Sequence, residues 1–335
     1  MFLLQKYNSQ MIFSPSELEA KINSAINELD YNKNPRSLFE PIEYILSIGG
    51  KRLRPILAFM ATNLFTDNID QTTNPAIAIE IFHNFSLLHD DLMDNANIRR
   101  GKPTVHEKWC DNTAILSGDA MLIDAYNYIT KVHSKFLPSI LEVFTQTAMQ
   151  VCEGQQYDMD FEKRINVKES EYIEMIRLKT AVLLAASLKI GAILGEANKE
   201  DVDRLYEFGI NIGLAFQLKD DLLDVYGDPV NFGKEIGGDI LSNKKTFLLI
   251  KALENSDEIS HASLQQWIAA KDYDSKAKIN AVKKIYDGLN LELMTNKLIQ
   301  KYYLAAMDCL AEVKVSDKRK KELLIYTNNL MNREK

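Results

Sequence analysis

Two long, almost wholly apolar stretches constrain the fold of this chain more than any other feature of its sequence. The segment from Pro75 to Asp94 carries apolar side chains on nearly every side of a helical wheel until its last turn. This pattern is typical of a helix inside a bundle rather than on its surface. The run from Thr180 to Gly195 has about 16 residues and includes Lys189, short of the roughly 20 needed to cross a bilayer. Both stretches therefore predict buried helices, and neither predicts a transmembrane segment.

Helix signals recur along the rest of the chain. Ser14, Pro15 and Glu17 form the cap, first-position proline and third-position glutamate of a helix start. Glycine and proline together number 22 of 335 residues, about half the usual share, so turn-rich β architectures fit poorly. No biased linker or internal repeat divides the sequence, and we predict a single all-α domain over 1–335. Its helices are predicted over 15–30, 36–48, 55–66, 75–94, 112–133, 137–161, 169–196 and 199–226, with shorter, more charged and more peripheral helices from about 242.

The charge and the cysteine content of the chain indicate which binding partners and which cellular compartment to expect. Forty basic and 47 acidic side chains give a net charge of −7, which disfavours nucleic acid as a partner. The three cysteines have neither metal-ligand nor disulfide-framework spacing, which points to a reducing compartment. The first residues lack the basic and apolar segments of a secretion signal. We therefore expect a cytoplasmic protein that does not bind nucleic acid.

Two acidic clusters share one spacing and stand 130 residues apart. Each has the pattern Asp-Asp-x-x-Asp at the polar end of a long apolar helix, so its first and last aspartates lie on one face, one turn apart. Carboxylates near a helix C-terminus oppose the helix dipole and repel each other unless a hard cation compensates them. If the two helix ends face each other across a bundle mouth, they can hold Mg²⁺ with waters and ligand phosphates. The alternative is that both clusters are solvated and inert. The candidate metal ligands are Asp90, Asp91, Asp94, Asp220, Asp221 and Asp224.

Two basic clusters lie near the first acidic one in sequence. They are Gly49-Gly50-Lys51-Arg52-Leu53-Arg54-Pro55 and Arg99-Arg100-Gly101-Lys102-Pro103. Arginine forks match phosphate oxygens in bidentate geometry, and glycines let a ligand come close to the backbone. Acidic clusters for a metal-bridged phosphate and separate basic clusters for a metal-free one indicate an enzyme that couples two phosphorylated substrates.

Together these motifs resemble the trans-type isoprenyl (polyprenyl) diphosphate synthases. The resemblance runs from Gly49 to about Thr246, with the motifs in the family's order. It implies an isoprenoid-synthase-type all-α bundle around a deep central cavity, usually a homodimer. The further matching positions are Gly154-Gln155 with Asp158, Lys179-Thr180, Phe216-Gln217, and Gly233-Lys234 with Asp239, Lys244 and Thr246.

The resemblance implies a head-to-tail condensation that depends on Mg²⁺, with three ions for which Mn²⁺ can substitute. An allylic diphosphate (dimethylallyl, geranyl or farnesyl) ionises, and isopentenyl diphosphate attacks the resulting cation through its double bond. The released diphosphate takes the proton, and no side-chain nucleophile is needed. By resemblance, isopentenyl diphosphate is bound by Lys51, Arg54, His83 and Arg100. The allylic substrate is contacted by Arg99, Lys179, Thr180, Gln217, Lys234 and Lys244.

Product length is expected to depend on bulky side chains below Asp90. At 1.5 Å per residue, Phe85 lies about 7.5 Å and Phe82 about 12 Å from Asp90 along the helix axis. An ideal wheel places Ser86 and Phe82 nearer the face of Asp90 than Phe85. In the family, the positions four and five before the first aspartate set the limit, and here they hold Ser86 and Phe85. One aromatic residue there resembles the short-chain enzymes, and we expect a C15 to C20 product, preferentially geranylgeranyl diphosphate.

Two other functions compete with this interpretation. A class I terpene cyclase would share the first aspartates, but it would have an Asn/Ser/Glu-type second motif and no need for Lys51 and Arg54. A catalytically silent partner subunit typically loses aspartates, and all six are present here. The chain departs from the family at Asn243, which replaces a common glycine before Lys244, and at Phe247-Leu248, which replaces a frequent Leu-Pro.

Overall fold

The structure is a computed structural model that describes residues 11–227 and 236–332. Most of the described residues are helical. The β structure among the described residues is one antiparallel pair of two-residue strands, β1 (Ile98–Arg99) and β2 (Lys102–Pro103). The all-α fold class is confirmed. The first ten helices are α1 (Pro15–Asn27), α2 (Arg36–Ser47), α3 (Leu53–Phe65), α4 (Thr73–Met93), α5 (Val105–Lys108), α6 (Asp111–Ile129), α7 (Leu137–Glu162), α8 (Glu169–Ile176), α9 (Val182–Leu194) and α10 (Lys199–Tyr226). The later ones are α11 (Gly238–Leu241), α12 (Phe247–Asn255), α13 (Glu258–Ala269), α14 (Ser275–Gly288), α15 (Leu291–Glu312) and α16 (Asp317–Met331).

The chain divides into two compact units whose segments alternate along the sequence. The first holds the described residues up to Phe144, with Ser187–Asp203 and Lys314–Ile325. The second holds Thr145–Ala186, Arg204–Val313 and the described residues from Tyr326 onward. A single domain over 1–335 stays a prediction. Across the described ranges, no helix combines the length and the apolar character that a membrane span requires.

Sequence signals located most helix boundaries to within a few residues. The side chain of Ser14 accepts from the backbone of Glu17, whose carboxylate accepts from the backbone of Ser14, so the predicted capping box is present. Helix α1 ends at Asn27, three residues before the predicted end. The helices after 242 are not all short, because α15 has 22 residues. The prediction of shorter helices is therefore wrong for α15.

Helix α4 is buried along most of its length, as its apolar pattern predicts, and it carries the first acidic motif at its C-terminal end. It contacts α1, α2, α3 and α6, and its side chain at Phe82 is 1% exposed. The contact with α6 is close, since a Cβ atom added to Gly118 would lie 2.2 Å from Nε2 of His89. That Nε2 lies 3.2 Å from the carbonyl oxygen of Ile115. These contacts fix the rotation of α4 immediately before its aspartates.

A π-helical turn over Arg177–Ala181 separates α8 from α9. It interrupts the continuous helix predicted over 169–196, and it carries Lys179 and Thr180. Two glycines of neighbouring helices allow close backbone approach to it. A Cβ added to Gly154 of α7 would lie 2.3 Å from the amide nitrogen of Lys179, and one added to Gly213 of α10 would lie 2.5 Å from Cα of Ala181. Single π turns inside helices are frequent at functional sites.

Candidate active site

Arg52 anchors the first basic cluster. It has a left-handed backbone conformation (φ 47°) immediately before α3. Its Nη1 donates to Oε1 of Glu80 on α4 at 2.6 Å, and the two side chains are only 5% and 3% exposed. A second donor, Nδ2 of Asn84, satisfies the same carboxylate oxygen at 3.1 Å. A buried ion pair is tolerated only when it is well hydrogen-bonded, as this one is. The pair attaches Arg52 to α4 and so holds its neighbour Lys51 and the first turn of α3, which carries Arg54.

His83 lies inside a group of positive charges. Its Nε2 is 3.0 Å from Nη1 of Arg54. Since guanidinium has donors only, Nε2 accepts in this contact and carries no proton. Burial, followed by the charges of Arg54, Arg100 and Arg99, holds the pKa of His83 well below its usual value. The imidazole is therefore neutral near pH 7, and the positive charge of the site belongs to the arginines.

The β1–β2 hairpin brings the second basic cluster onto the first. Arg100 and Gly101 have φ values of 51° and 73°, the left-handed pair of a tight two-residue turn. A Cβ atom added to Gly50 would lie 2.7 Å from Nη1 of Arg100, so the glycine leaves the space that the guanidinium fills. A side chain at position 50 would displace Arg100.

In the first acidic motif the middle aspartate is held by the protein. Nε and Nη2 of Arg99 donate to the two oxygens of Asp91, each at 2.6 Å, and Asp91 is 2% exposed. Burial raises the pKa of Asp91, and the hydrogen bonds from Arg99 oppose that shift. The same guanidinium lies 3.7 Å from Oδ2 of Asp90, which is partly exposed, while Asp94 is exposed. Asp90 and Asp94 therefore present their carboxylates outward, and Asp91 positions Arg99.

The second acidic motif repeats this arrangement. Asp221 is 4% exposed and accepts from the hydroxyl of Tyr172 and from Nε2 of Gln217, the latter at 2.9 Å. Burial, reinforced by the charge of Asp239, raises the pKa of Asp221 to about 7. Asp224 uses Oδ2 to accept from the backbone nitrogen of Asp239 at 2.9 Å.

A chain of hydrogen bonds orients Gln217. Its Nε2 donates to Asp221, so its Oε1 is the atom that accepts from Oγ1 of Thr180, at 2.9 Å. Tyr172, which the sequence analysis missed, holds the other oxygen of Asp221. No local sequence signal identifies Tyr172, because its partner Asp221 is 49 residues away in the sequence. Lys179 itself donates to Oδ2 of Asp158 at 2.7 Å.

The three chain-length candidates lie together on α4. Phe82 packs against Phe85 at a centroid distance of 5.5 Å and edge-on against Phe144 of α7 at 5.4 Å. Tyr126 of α6 supports the far side of Phe144 at 5.1 Å. Ser86 donates its hydroxyl to the carbonyl of His83, so it adds little bulk. Phe85 is 8% exposed and is closer to Asp90 along α4 than Phe82 is.

Other predicted residues are placed as follows. Lys51 is exposed and Lys244 is partly exposed. Lys234 lies outside the described residues, so its contact with substrate stays a prediction. In the ranges 11–227 and 236–332, no three histidine, cysteine or acidic side chains form a group that could hold a metal ion.

Comparisons with known proteins agree on one family. The family model described as "Polyprenyl synthetase" matches residues 35–287. The geranylgeranyl diphosphate synthase of Methanosarcina mazei is 42% identical over 235 residues, which cover 70% of this chain and 72% of that protein. A crystal structure of a geranylgeranyl pyrophosphate synthase has a TM-score of 0.91 at 40% identity, covering 97% of this chain and all of the other. The corresponding enzyme of Pyrococcus horikoshii has a TM-score of 0.89 at 34% identity, with 95% and 97% coverage. The isoprenoid-synthase type of helical fold is thus confirmed.

Proposed function

This chain belongs to the polyprenyl synthetase family, and on that premise we propose that it condenses isopentenyl diphosphate with an allylic diphosphate to give geranylgeranyl diphosphate. The observation that carries the proposal is the basic cluster: Arg54 beside a neutral His83, and Arg100 against Gly50. This cluster provides a diphosphate site that needs no metal, separate from the aspartates of the same unit. A terpene cyclase, which uses one diphosphate, has no use for it.

The chain's own residues divide the work between two substrates. Lys51, Arg54 and Arg100 bind the diphosphate of isopentenyl diphosphate. Thr180 and Gln217 contact the allylic substrate, and Oε1 of Gln217 offers its electron density to the positive charge that develops on the allylic carbon. Because Asp221 fixes the amide, no reorientation is needed during the reaction.

We propose Asp90, Asp94 and Asp220 as ligands of Mg²⁺, supported by Asp224. Carboxylate oxygens are the donors that Mg²⁺ prefers, and the ion keeps several waters and substrate oxygens. The partly exposed carboxylates of Asp90 and Asp220 and the exposed carboxylate of Asp94 supply such oxygens. When bound, Mg²⁺ supplies Lewis-acid stabilisation of the departing diphosphate. Asp91 and Asp221 serve as positioning residues for Arg99 and Gln217.

One incubation tests the function. Purified protein is mixed with Mg²⁺, labelled isopentenyl diphosphate and each allylic primer in turn, and product lengths are resolved. We expect elongation to C20 with a requirement for both substrates. Hydrocarbon formed from farnesyl diphosphate alone would indicate a cyclase, and no turnover by the protein alone would indicate a silent subunit. The cytoplasmic location stays a prediction.

Phe85 is proposed to limit product length. Phe85→Ala removes a ring that packs against Phe82 and that lies between Phe82 and Asp90 along α4, so we expect products longer than those of the unaltered enzyme, by one or two isoprene units. Mass analysis of the dephosphorylated products measures the shift. Phe85→Tyr keeps the volume and serves as the control. An unchanged length in Phe85→Ala would refute this role.

We further propose a homodimer that forms through α6. Leu116 and Ile123 are seven residues apart on one face and are 60% and 71% exposed. An exposed apolar face of this kind marks an interaction surface. Ile123→Glu is expected to give a monomer in sedimentation velocity, since it would bury an unpaired charge at the contact. Ile165→Glu, which alters an 81% exposed residue outside the helices, is the matched control and should stay dimeric. A dimeric Ile123→Glu protein would contradict the proposal.

A further inference from the structure

Helix α14 packs against the segment that carries Lys244. A Cβ atom added to Gly237, which has φ +87°, would lie 2.7 Å from Cδ1 of Ile279. Four residues further on, the carbonyl oxygen of Leu241 accepts from the hydroxyl of Tyr273 at 3.1 Å. The same oxygen accepts from Nζ of Lys278 at 3.2 Å. The C-terminus of α11 is therefore capped by side chains from the region of α14.

Asn243 is the second point of attachment. Its φ of 56° is left-handed, a conformation that suits glycine and that asparagine tolerates better than other side chains. Glycine, which is common at this position in the family, would adopt this left-handed conformation without strain. Asparagine adds an acceptor: its Oδ1 accepts a hydrogen bond from Nζ of Lys278 at 2.7 Å. Its Nδ2 donates to the carbonyl of Ile268 at 3.2 Å.

Lys278 is fully buried, with 0% exposure. A buried ammonium is costly unless its donors are satisfied. Here Nζ donates to the carbonyl oxygen of Leu241 and to Oδ1 of Asn243. It also lies 4.3 Å from the centre of the Tyr273 ring. Lys278, Asn243 and Leu241 form a unit that we call the Lys278 clamp. A surface lysine would need none of these partners, so the clamp marks a position where the fold holds a backbone segment in place.

The clamp lies next to residues of the proposed site. The amide nitrogen of Lys244 donates to the carbonyl oxygen of Asp239 at 2.9 Å. The amide of Asp239 donates to the carboxylate of Asp224, as described above. The carbonyl of Lys244 accepts from the amide of Thr246, which begins α12. Lys244 is thus held between the clamp on one side and the second acidic motif on the other.

We propose that the Lys278 clamp positions Lys244 for the diphosphate of the allylic substrate. Lys278 and Asn243 are positioning residues in this proposal, since they act through the backbone of the segment that bears Lys244. The proposal rests on the proposed function for the identity of the substrate. Its structural part, that the clamp orders the segment over 236–246, stands independently.

Variants of the two clamp side chains and one matched control test it. Asn243→Gly keeps the left-handed backbone and removes both side-chain hydrogen bonds, the one from Lys278 and the one to the carbonyl of Ile268. Lys278→Met removes the donor at similar length. Asn243→Asp keeps an acceptor for Lys278 but loses the donor to Ile268, so we expect it to have a smaller effect than Asn243→Gly. Lys276→Met changes an exposed lysine on the same helix and is the matched control. The readouts are KM for each substrate, kcat, and hydrogen exchange of the amides over 236–246.

We expect Asn243→Gly and Lys278→Met to raise KM for the allylic diphosphate about 10- to 100-fold, as for other residues that orient a binding group. KM for isopentenyl diphosphate should stay unchanged, and exchange over 236–246 should become faster. Because the two changes share the Lys278–Asn243 hydrogen bond, the effect of the double variant should be smaller than the sum of the two single effects. Equal changes in both KM values, or unaltered exchange, would overturn the proposal. If the unaltered protein had no activity, the proposed function would fail, and the exchange rates would still decide whether the clamp orders the segment.

Discussion

Replacing Asp90 and Asp220 together by alanine is expected to lower the condensation rate by about 10³-fold or more, the scale seen when groups that stabilise developing charge are removed. Both carboxylates are partly exposed and belong to the outward face of their motifs. Without them the diphosphate would lack bound metal. The negative charge that develops on it as the carbon–oxygen bond breaks would then not be stabilised. Steady-state assays with isopentenyl and farnesyl diphosphates at saturating Mg²⁺ measure the loss.

The same double substitution should leave the fold intact. Truncation of exposed side chains changes stability by roughly 0.5 kcal/mol or less. Thermal unfolding should therefore match that of the unaltered protein within about 2 °C. Asp272→Ala, which alters an exposed aspartate far along the sequence from both motifs, is the control and should retain full activity. Substantial turnover by the double variant would count against the aspartates as metal ligands.

Arg54→Met is expected to raise KM for isopentenyl diphosphate by about 10- to 100-fold, the equivalent of one lost charge-assisted hydrogen-bond pair. Methionine keeps an unbranched apolar stem and removes both the charge and the donor to His83. KM for the allylic diphosphate should change little, because that substrate relies on other residues. Separate titration of each substrate at saturation of the other distinguishes the two constants.

Arg36→Met is the matched control for this variant. Arg36 pairs with Glu43 at the surface, with side chains that are 41% and 57% exposed, and such pairs contribute little. Its removal should leave both constants unchanged. A rise of KM for both substrates in Arg54→Met would show that Arg54 supports the site as a whole rather than one diphosphate.

The parts of the fold that depend on local chemistry were predictable from the sequence. The capping box at Ser14 and the apolar pattern that ends at Asp94 fixed helix positions because hydrogen bonding within one turn and burial of one helix are local properties. The β1–β2 hairpin was missed, although Arg100-Gly101 is an X-Gly turn pair, because strands of two residues leave no alternating pattern.

Features that depend on distant partners were not predictable. The π turn at Lys179 requires Gly154 and Gly213, which come from separate helices. The same applies to the middle aspartate of the second motif. Its spacing suggests a metal ligand, whereas its burial and its hydrogen bond from Tyr172 appear only when α8 and α10 are packed together. The spacing in the sequence shows which aspartates share one face of a helix. The packing of that helix against its neighbours determines which of them can face a ligand.

Anomalous diffraction from crystals grown with Mn²⁺ and an unreactive allylic thio-diphosphate tests the central claim most directly. The account predicts manganese peaks about 2.1 Å from carboxylate oxygens of both Asp90 and Asp220, with the analogue's diphosphate completing the coordination. Peaks beside one motif alone, or beside neither, would contradict it.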